Sequence, residues 1–189
     1  VLVLTHKYYD GKVPAIGVLK PFDKSVLNEM TSMPQKIGHA IEHYRFREAS
    51  QILMQLARLG NKYLADTEPW KLIKTDPERV LTIMHTALQI SAALSILSEP
   101  ILPFTSKKLS NMLQIDSENK NWDDVSNGSN LINAGHKIGK TFLLFQKIED
   151  EQMEEQRMKL KVSITENKAK SLKIAPIKPI TPYVDFESL

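Results

Sequence analysis

Cysteine is absent from the 189-residue chain, which removes disulfides, thiolate zinc sites and cysteine nucleophiles together. The absence fits a reducing compartment, so a cytoplasmic setting is the expectation. No apolar run approaches the roughly 20 residues of a membrane span, and no membrane partner is expected. No stretch alternates apolar and polar residues well enough to nucleate a sheet, and no segment recurs at a period of about 20 to 50 residues. A strong excess of one charge is missing too. The formal net charge of +3 steers a polyanion only weakly, so any nucleic-acid contact has to rest on local patches and stacking. Tryptophan occurs only twice, so the place of each is informative.

What is present is ordinary for a globular protein: 42% hydrophobic and 25% charged residues, in a chain long enough to bury roughly two-thirds of its unfolded surface. The opening Val1-Leu2-Val3-Leu4-Thr5 has neither methionine nor a charged region ahead of an apolar stretch. It is read as the start of a cut-out fragment, with no signal peptide.

Residues 1 to 21, with Gly11, Pro14, Gly17 and Pro21, read as a connection after a short start. From Lys24 to Gly60 the apolar positions Val26, Met30, Ile37, Ala40, Ile41 and Tyr44, then Ala49, Ile52, Leu53, Leu56 and Leu59, recur at three and four residues. That spacing predicts two amphipathic helices, broken or bent near Tyr44 to Arg47, with Asn61, Tyr63 and Leu64 able to extend the second past Gly60. Thr75-Asp76-Pro77-Glu78 starts another helix, with Asp76 as cap and Pro77 at its first position or with Thr75 as cap and Glu78 closing a capping box. Val80 to Leu97 continues it with few charges, as the central buried helix, and Pro100 and Pro103 end it. Thr105 is assigned as the cap of a short helix to Leu113, and the stretch from Asp116 to Asn130, with Trp122, as a polar loop. Residues 131–150 have no helical period and are expected to lie extended on the bundle. Glu149 to Lys170 predicts a solvated helix, and the prolines at 176, 179 and 182 predict an extended tail. The fold class expected is an all-α bundle: residues 1–150 as the bundle, 151–170 as a charged terminal helix, 171–189 as a Pro-rich tail.

Candidate chemistries are few. His39-Ala40-Ile41-Glu42-His43 fits the H-x-x-E-H pattern of some zinc peptidases. A catalytic zinc needs a third protein ligand and an open position, and a polar helix face is the favoured reading, so no metal site is assigned. "HKIGK", His136 to Lys140, lacks the spacing of a phosphate loop; Lys137 and Lys140 fit a solvated loop or a phosphate backbone equally. No G-x-S-x-G elbow occurs, and no catalytic residue is assigned. The acidic run Glu149 to Glu155 suits the start of a helix dipole.

Trp70 remains. In "GNKYLADTEPWKLIKTDPERV" it follows Pro69 at the junction of two helical segments, where a ring either caps the end of a core or offers a face to an unpaired base. With Lys62, Lys71 and Lys74 nearby in sequence, the second arrangement is the one single-stranded RNA recognition uses.

The same stretch, followed by "SILSEPILPFTSKKLSNML", resembles the anticodon-binding helical domain of methionyl-tRNA synthetases. That family's Asn-x-Tyr, Pro-Trp and P-x-x-P-F-T elements correspond to Asn61 and Tyr63, Pro69 and Trp70, and Pro100, Pro103, Phe104 and Thr105. A second block, "INAGHKIGKTFLLFQKIED", is similar to a segment near the end of the same domain, and the likeness runs in order from about Leu4 to Asp150. Isoleucyl, valyl, leucyl and cysteinyl enzymes share a helical anticodon domain, but the Pro-Trp junction and the "GHKIGK" block favour methionyl.

The resemblance implies a bundle of the class I synthetase anticodon-binding type that binds and does not catalyse. The HIGH-like and KMSKS-like signatures and the family's zinc knuckle are absent from the chain, so ATP, magnesium and any zinc would belong to an upstream catalytic domain of the same protein. The partner implied is the anticodon stem-loop of the methionine tRNA, read at CAU. Trp70 would stack on an anticodon base beside Pro69, and Asn61, on the turn before the junction, would meet a base edge. Tyr63 is assigned to the core, and Lys62, Lys71 and Lys74 to phosphates. The family's Asn-x-x-x-Arg pair falls around the start of the chain, its Asn before Val1 and its Arg near Val3. This piece is expected to be a monomer, and its parent a homodimer through a downstream module. Two rivals stand beside this reading. A helical scaffold without RNA binding predicts Trp70 buried on both faces and the lysines dispersed; a zinc hydrolase at His39 and His43 predicts bound zinc.

Overall fold

The computed structural model describes residues 1–115, 121–128 and 130–171. The Pro-rich tail expected from 172 onward, and residues 116–120 and 129 of the expected polar loop, lie outside the described residues. The chain divides into two compact units, Val1–Leu144 and Phe145–Leu189. Eight helices are described: α1 Leu2–Tyr9, α2 Pro21–Glu42, α3 Phe46–Thr67, α4 Pro69–Leu72, α5 Pro77–Leu97, α6 Pro103–Leu113, α7 Trp122–Ser126 and α8 Asp150–Ser171. Apart from one isolated bridge, Lys12 with Lys137, the described backbone holds no β pairing. The all-α expectation holds.

The first unit is built around α5. Its residues Val80, Ile83, Met84, Leu88, Ala92 and Leu97 are wholly enclosed, because α2, α3, α4 and α6 all pack against it. Asp76 starts it: the carboxylate accepts the backbone N–H of Arg79 at 3.0 Å, and Pro77 needs no partner at the first position. With 21 residues and a mean hydropathy of 1.7, α5 is long and apolar enough to cross a membrane, which corrects the expectation that no run approaches that length. Burial of 83% of that window inside the bundle accounts for the composition.

α2 and α3 form an antiparallel pair with a three-residue break at His43, Tyr44 and Arg45. Tyr44 takes a left-handed conformation (φ 57°), and Arg45 N–H returns to Ala40 O at 2.8 Å, closing the end of α2. α3 continues through Gly60 because that residue lies against α5. A Cβ there would sit 3.2 Å from Ile90 Cγ2.

Two local assignments change. α6 begins at Pro103 with Leu102 as its cap, and Ser106 N–H bonds to Leu102 O at 2.9 Å, so Thr105 lies inside the first turn. Trp122 is not in a loop but opens α7. Asn121 and Asp124 exchange side-chain and backbone hydrogen bonds at 2.9 and 3.1 Å, and this reciprocal cap makes a helix of five residues viable. The Trp122 ring lies over Gly38 and packs against the core, which is why the polar composition around it misled.

Residues 131–140 form no helix but are extended only in part: the backbone bends at Leu131 and Ile132 and turns at Ala134 and Gly135, where His136 N–H bonds to Asn133 O at 3.2 Å. Leu131, Ile132 and Ile138 are buried. Gln89 of α5 holds the segment, donating to Ile132 O at 2.7 Å and accepting Leu131 N–H at 2.8 Å. His85 donates through Nδ1 to Pro14 O at 2.9 Å, which leaves Nε2 to accept from Gln89 at 3.1 Å.

In the second unit α8 is exposed along its described side chains, with Arg157 on Glu154 at 2.8 Å and Lys159 on Glu155 at 2.7 Å. Met153, Met158, Leu160 and Ile164 are all more than two-fifths exposed, matching the solvated helix that was expected.

Candidate nucleic-acid interface

The junction from α3 to α5 begins where α3 stops. Glu68 takes φ 41° and ψ 56°, a left-handed conformation that ends a helix, and its N–H still bonds to Leu64 O at 2.9 Å. Pro69 follows at the first position of α4 and is buried. The chain reverses at once, and Trp70 emerges 45% exposed on a turn whose preceding proline is fixed in the core.

A charged brace joins the helices on either side of this turn to α2. Asp23, two residues into α2 after Pro21, has no exposed surface. Arg79, in the first turn of α5, donates to both of its oxygens at 2.6 and 2.7 Å. Tyr63 of α3 donates its hydroxyl to Oδ1 at 2.6 Å, and Lys20 N–H donates to Oδ2 at 2.8 Å. Burial alone would raise the Asp23 carboxyl, but the hydrogen bonds from Arg79, Tyr63 and the Lys20 amide outweigh it and hold the group below the usual carboxylate range. Burial, then the bond to Asp23, pushes the Tyr63 hydroxyl well above its ordinary value. Its own hydrogen bonds to Asp23 raise Arg79. Phe22 covers the Tyr63 ring at 5.5 Å. α2, α3 and α5 are thereby tied together, through Tyr63 seven residues before Trp70 and Arg79 nine after it, both bonded to Asp23.

Sequence reading placed Tyr63 in the core correctly and missed the brace. One signal was available: Arg79 sits at the positive end of a helix dipole, where a cation is unfavourable unless an acid meets it.

Asn61 is not on a turn. It lies within α3, six residues before its end, because buried Tyr63 carries the helix onward. Asn61 and Lys62 are exposed on the solvent side of α3, and Lys71 and Lys74 are exposed in and after α4. Lys71 is engaged with Glu68 at 2.7 Å, so its charge is partly answered, whereas Lys62 and Lys74 form no ion pair among the described residues. Lys137 and Lys140 are exposed on an anchored segment, where His136 Nε2 bonds to Leu113 O at 2.8 Å.

His39 and His43 stack at 4.1 Å, and His43 turns its Nδ1 to His39 O at 2.8 Å. With Pro34, Lys36, Glu42 and Trp122 they neighbour or line a cleft of about 660 Å³. Among the described residues no three histidine, aspartate or glutamate side chains converge as a metal would require.

The backbone superposes on part of the crystal structure of apo methionyl-tRNA synthetase from Mycobacterium tuberculosis, with a TM-score of 0.72, 18% identity, and coverage of 78% of this chain and 30% of that one. Its complex with methionyl-adenylate gives 0.71 at 20% identity, over 77% of this chain and 29% of that one. At such identities the likeness fixes the fold: the class is an all-helical module of the kind those synthetases contain. The family model for the anticodon binding domain of methionyl tRNA ligase matches residues 13–164, and the chain belongs to that family. Methionine–tRNA ligases from Christiangramia forsetii and Flavobacterium psychrophilum are 54% and 52% identical across the whole chain, which covers 28% and 27% of them. That from Phocaeicola vulgatus is 47% identical, with 27% covered. The chain thus spans under a third of the length of the curated relatives it matches.

Proposed function

We propose that the chain recognises the CAU anticodon loop of the methionine tRNA, with Trp70 as the stacking platform. Family membership supplies the class of ligand. The carrying observation is that Trp70 is 45% exposed immediately after a buried proline, so one part of the ring is held while another faces solvent. A stacked base contributes about 1 to 3 kcal/mol. A scaffold with Trp70 buried on both faces does not have this geometry. Asn61 offers an amide to a base edge, and Lys62 and Lys74 meet phosphates, with Lys71 weaker because Glu68 already holds it.

For the protein that contains this module we propose the activity named in its relatives, ligation of methionine to tRNA. ATP and magnesium serve in the catalytic part of the same chain, and zinc serves there where a knuckle is present. The setting is cytoplasmic. The module by itself is monomeric, and dimerisation of the parent belongs to a downstream domain.

The test is a titration with a CAU hairpin following tryptophan fluorescence in a Trp122→Phe background, so that Trp70 alone reports. Quenching that weakens when the first anticodon base is changed, and binding that weakens in Trp70→Ala, support the reading. Equal binding of both hairpins by both proteins overturns it.

A further inference from the structure

The solvent side of α3 carries a continuous column that starts from Asn61 and Lys62 of the proposed loop site and extends back along the helix through residues that site does not use. Arg47, Gln51, Met54, Arg58, Asn61 and Lys62 are all exposed and follow one another at four, three, four, three and one residues, so they share one helix face. The face cannot rotate inward, since Ala49, Leu53, Leu56 and Tyr63 fix the opposite side in the core. Arg47 to Lys62 covers about 22 Å. The column holds no carboxylate. Glu48 and Asp66 stand at its edge by helical position, and Glu48 is engaged with Arg45 at 3.2 Å. Arg47, Arg58 and Lys62 form no ion pair among the described residues. The exposed face of α2, in contrast, mixes Lys24, Glu29, Lys36 and Glu42.

We infer that this face of α3 is a track for the sugar-phosphate backbone of a double-stranded RNA stem, the stem whose loop meets Trp70. The inference rests on the proposed reading of Trp70 for its direction, because α3 leads straight into the Trp70 turn. Its own support is chemical. Guanidinium, ammonium and carboxamide groups are the side chains that contact phosphates and riboses, and one strand of a stem laid along the helix meets them in succession. A protein partner would need an apolar centre depleted of charge, and Met54 is the single apolar side chain of the six.

The test compares a CAU hairpin with the same loop as an unpaired oligonucleotide, over a salt series. Three chains are used: the wild type, the double variant Arg47→Gln, Arg58→Gln, which spares the Lys62 assigned to the loop, and a charge-matched control, Lys24→Gln, Lys107→Gln. All four positions are exposed, and circular dichroism verifies equal helix content. Arg58→Gln alone provides a milder variant. The track predicts a roughly tenfold or greater loss of hairpin affinity in the double variant at low salt. The slope of log affinity against log salt should become shallower by about 0.9 for each phosphate contact removed. Binding of the unpaired loop and the ratio between CAU and altered hairpins should stay as in the wild type. An unchanged slope, an equal loss in the control, or wild-type affinity no higher for the hairpin than for the unpaired loop would each overturn the track. Loss of loop discrimination in Trp70→Ala leaves the slope readable, so the two readings fail separately.

Discussion

Arg79 grips both carboxylate oxygens of Asp23 across 56 residues of chain, with Asp23 sealed from solvent and the Arg79 side chain 9% exposed. Removing one member of such a pair leaves the other buried and unanswered. Asp23→Asn is therefore expected to destabilise the fold by about 3 to 5 kcal/mol, read as a lowered denaturant midpoint. Tyr63→Phe removes one bond only and should cost about 1 to 2 kcal/mol.

The same carboxylate sets a pH dependence. Its folded-state pKa lies below the unfolded value, so its contribution is complete above about pH 4 and is lost as pH falls through the folded value. Wild-type stability should decline over that acid range more steeply than that of Asp23→Asn. Parallel decline of the two proteins would refute the assignment. Tyr63 acts at the other extreme: its raised pKa gives stability that is complete below about pH 10 and lost at higher pH.

Trp70→Ala should reduce affinity for the CAU hairpin by about 1 to 3 kcal/mol, roughly 5-fold to 150-fold. Isothermal titration provides the number. A reduction of the same size for a hairpin with unrelated loop bases would argue against stacking on a particular base.

Tyr44 holds a left-handed conformation with its ring 82% exposed. Non-glycine residues are disfavoured there by about 1 to 2 kcal/mol. Tyr44→Gly should stabilise the protein by about 1 kcal/mol, raising Tm by roughly 2 to 4 °C. A lower Tm in thermal denaturation would show that the edge contact with Phe46, 6.4 Å between rings, outweighs the backbone term.

Gln89→Leu keeps most of the side-chain volume but leaves Leu131 N–H and Ile132 O without their partner, at about 1 to 3 kcal/mol for each group. Amide exchange at Leu131 should accelerate while that in the middle of α5 follows global stability.

Periodic features were legible in the sequence, and reciprocal ones were not. α3 and α5 follow from apolar spacing, and the start of α5 from Asp76-Pro77, because these signals are local. The Asp23–Arg79 bond joins positions 56 residues apart, so no window contains it. α7 was missed because its five residues have no room for a period, and only the Asn121–Asp124 exchange marks it. The sequence leaves Asn61 open between an extension of α3 past Gly60 and the turn before the junction, and the fit of Gly60 against Ile90 decides for the helix. Trp70 and Pro69 stand out in the sequence as the candidate platform; the column on α3 became visible only once α3 was known to run unbroken from Phe46 to Thr67.

α5 has the length and hydropathy of a lipid-spanning segment and stays out of sight because the helices of the bundle cover it. Concealment of that segment is therefore a property of the folded state. Anything that loosens α2 or α3, the loss of Asp23 included, uncovers 21 residues able to associate with their own kind. Heating should end in precipitation, at a temperature that falls as protein concentration rises.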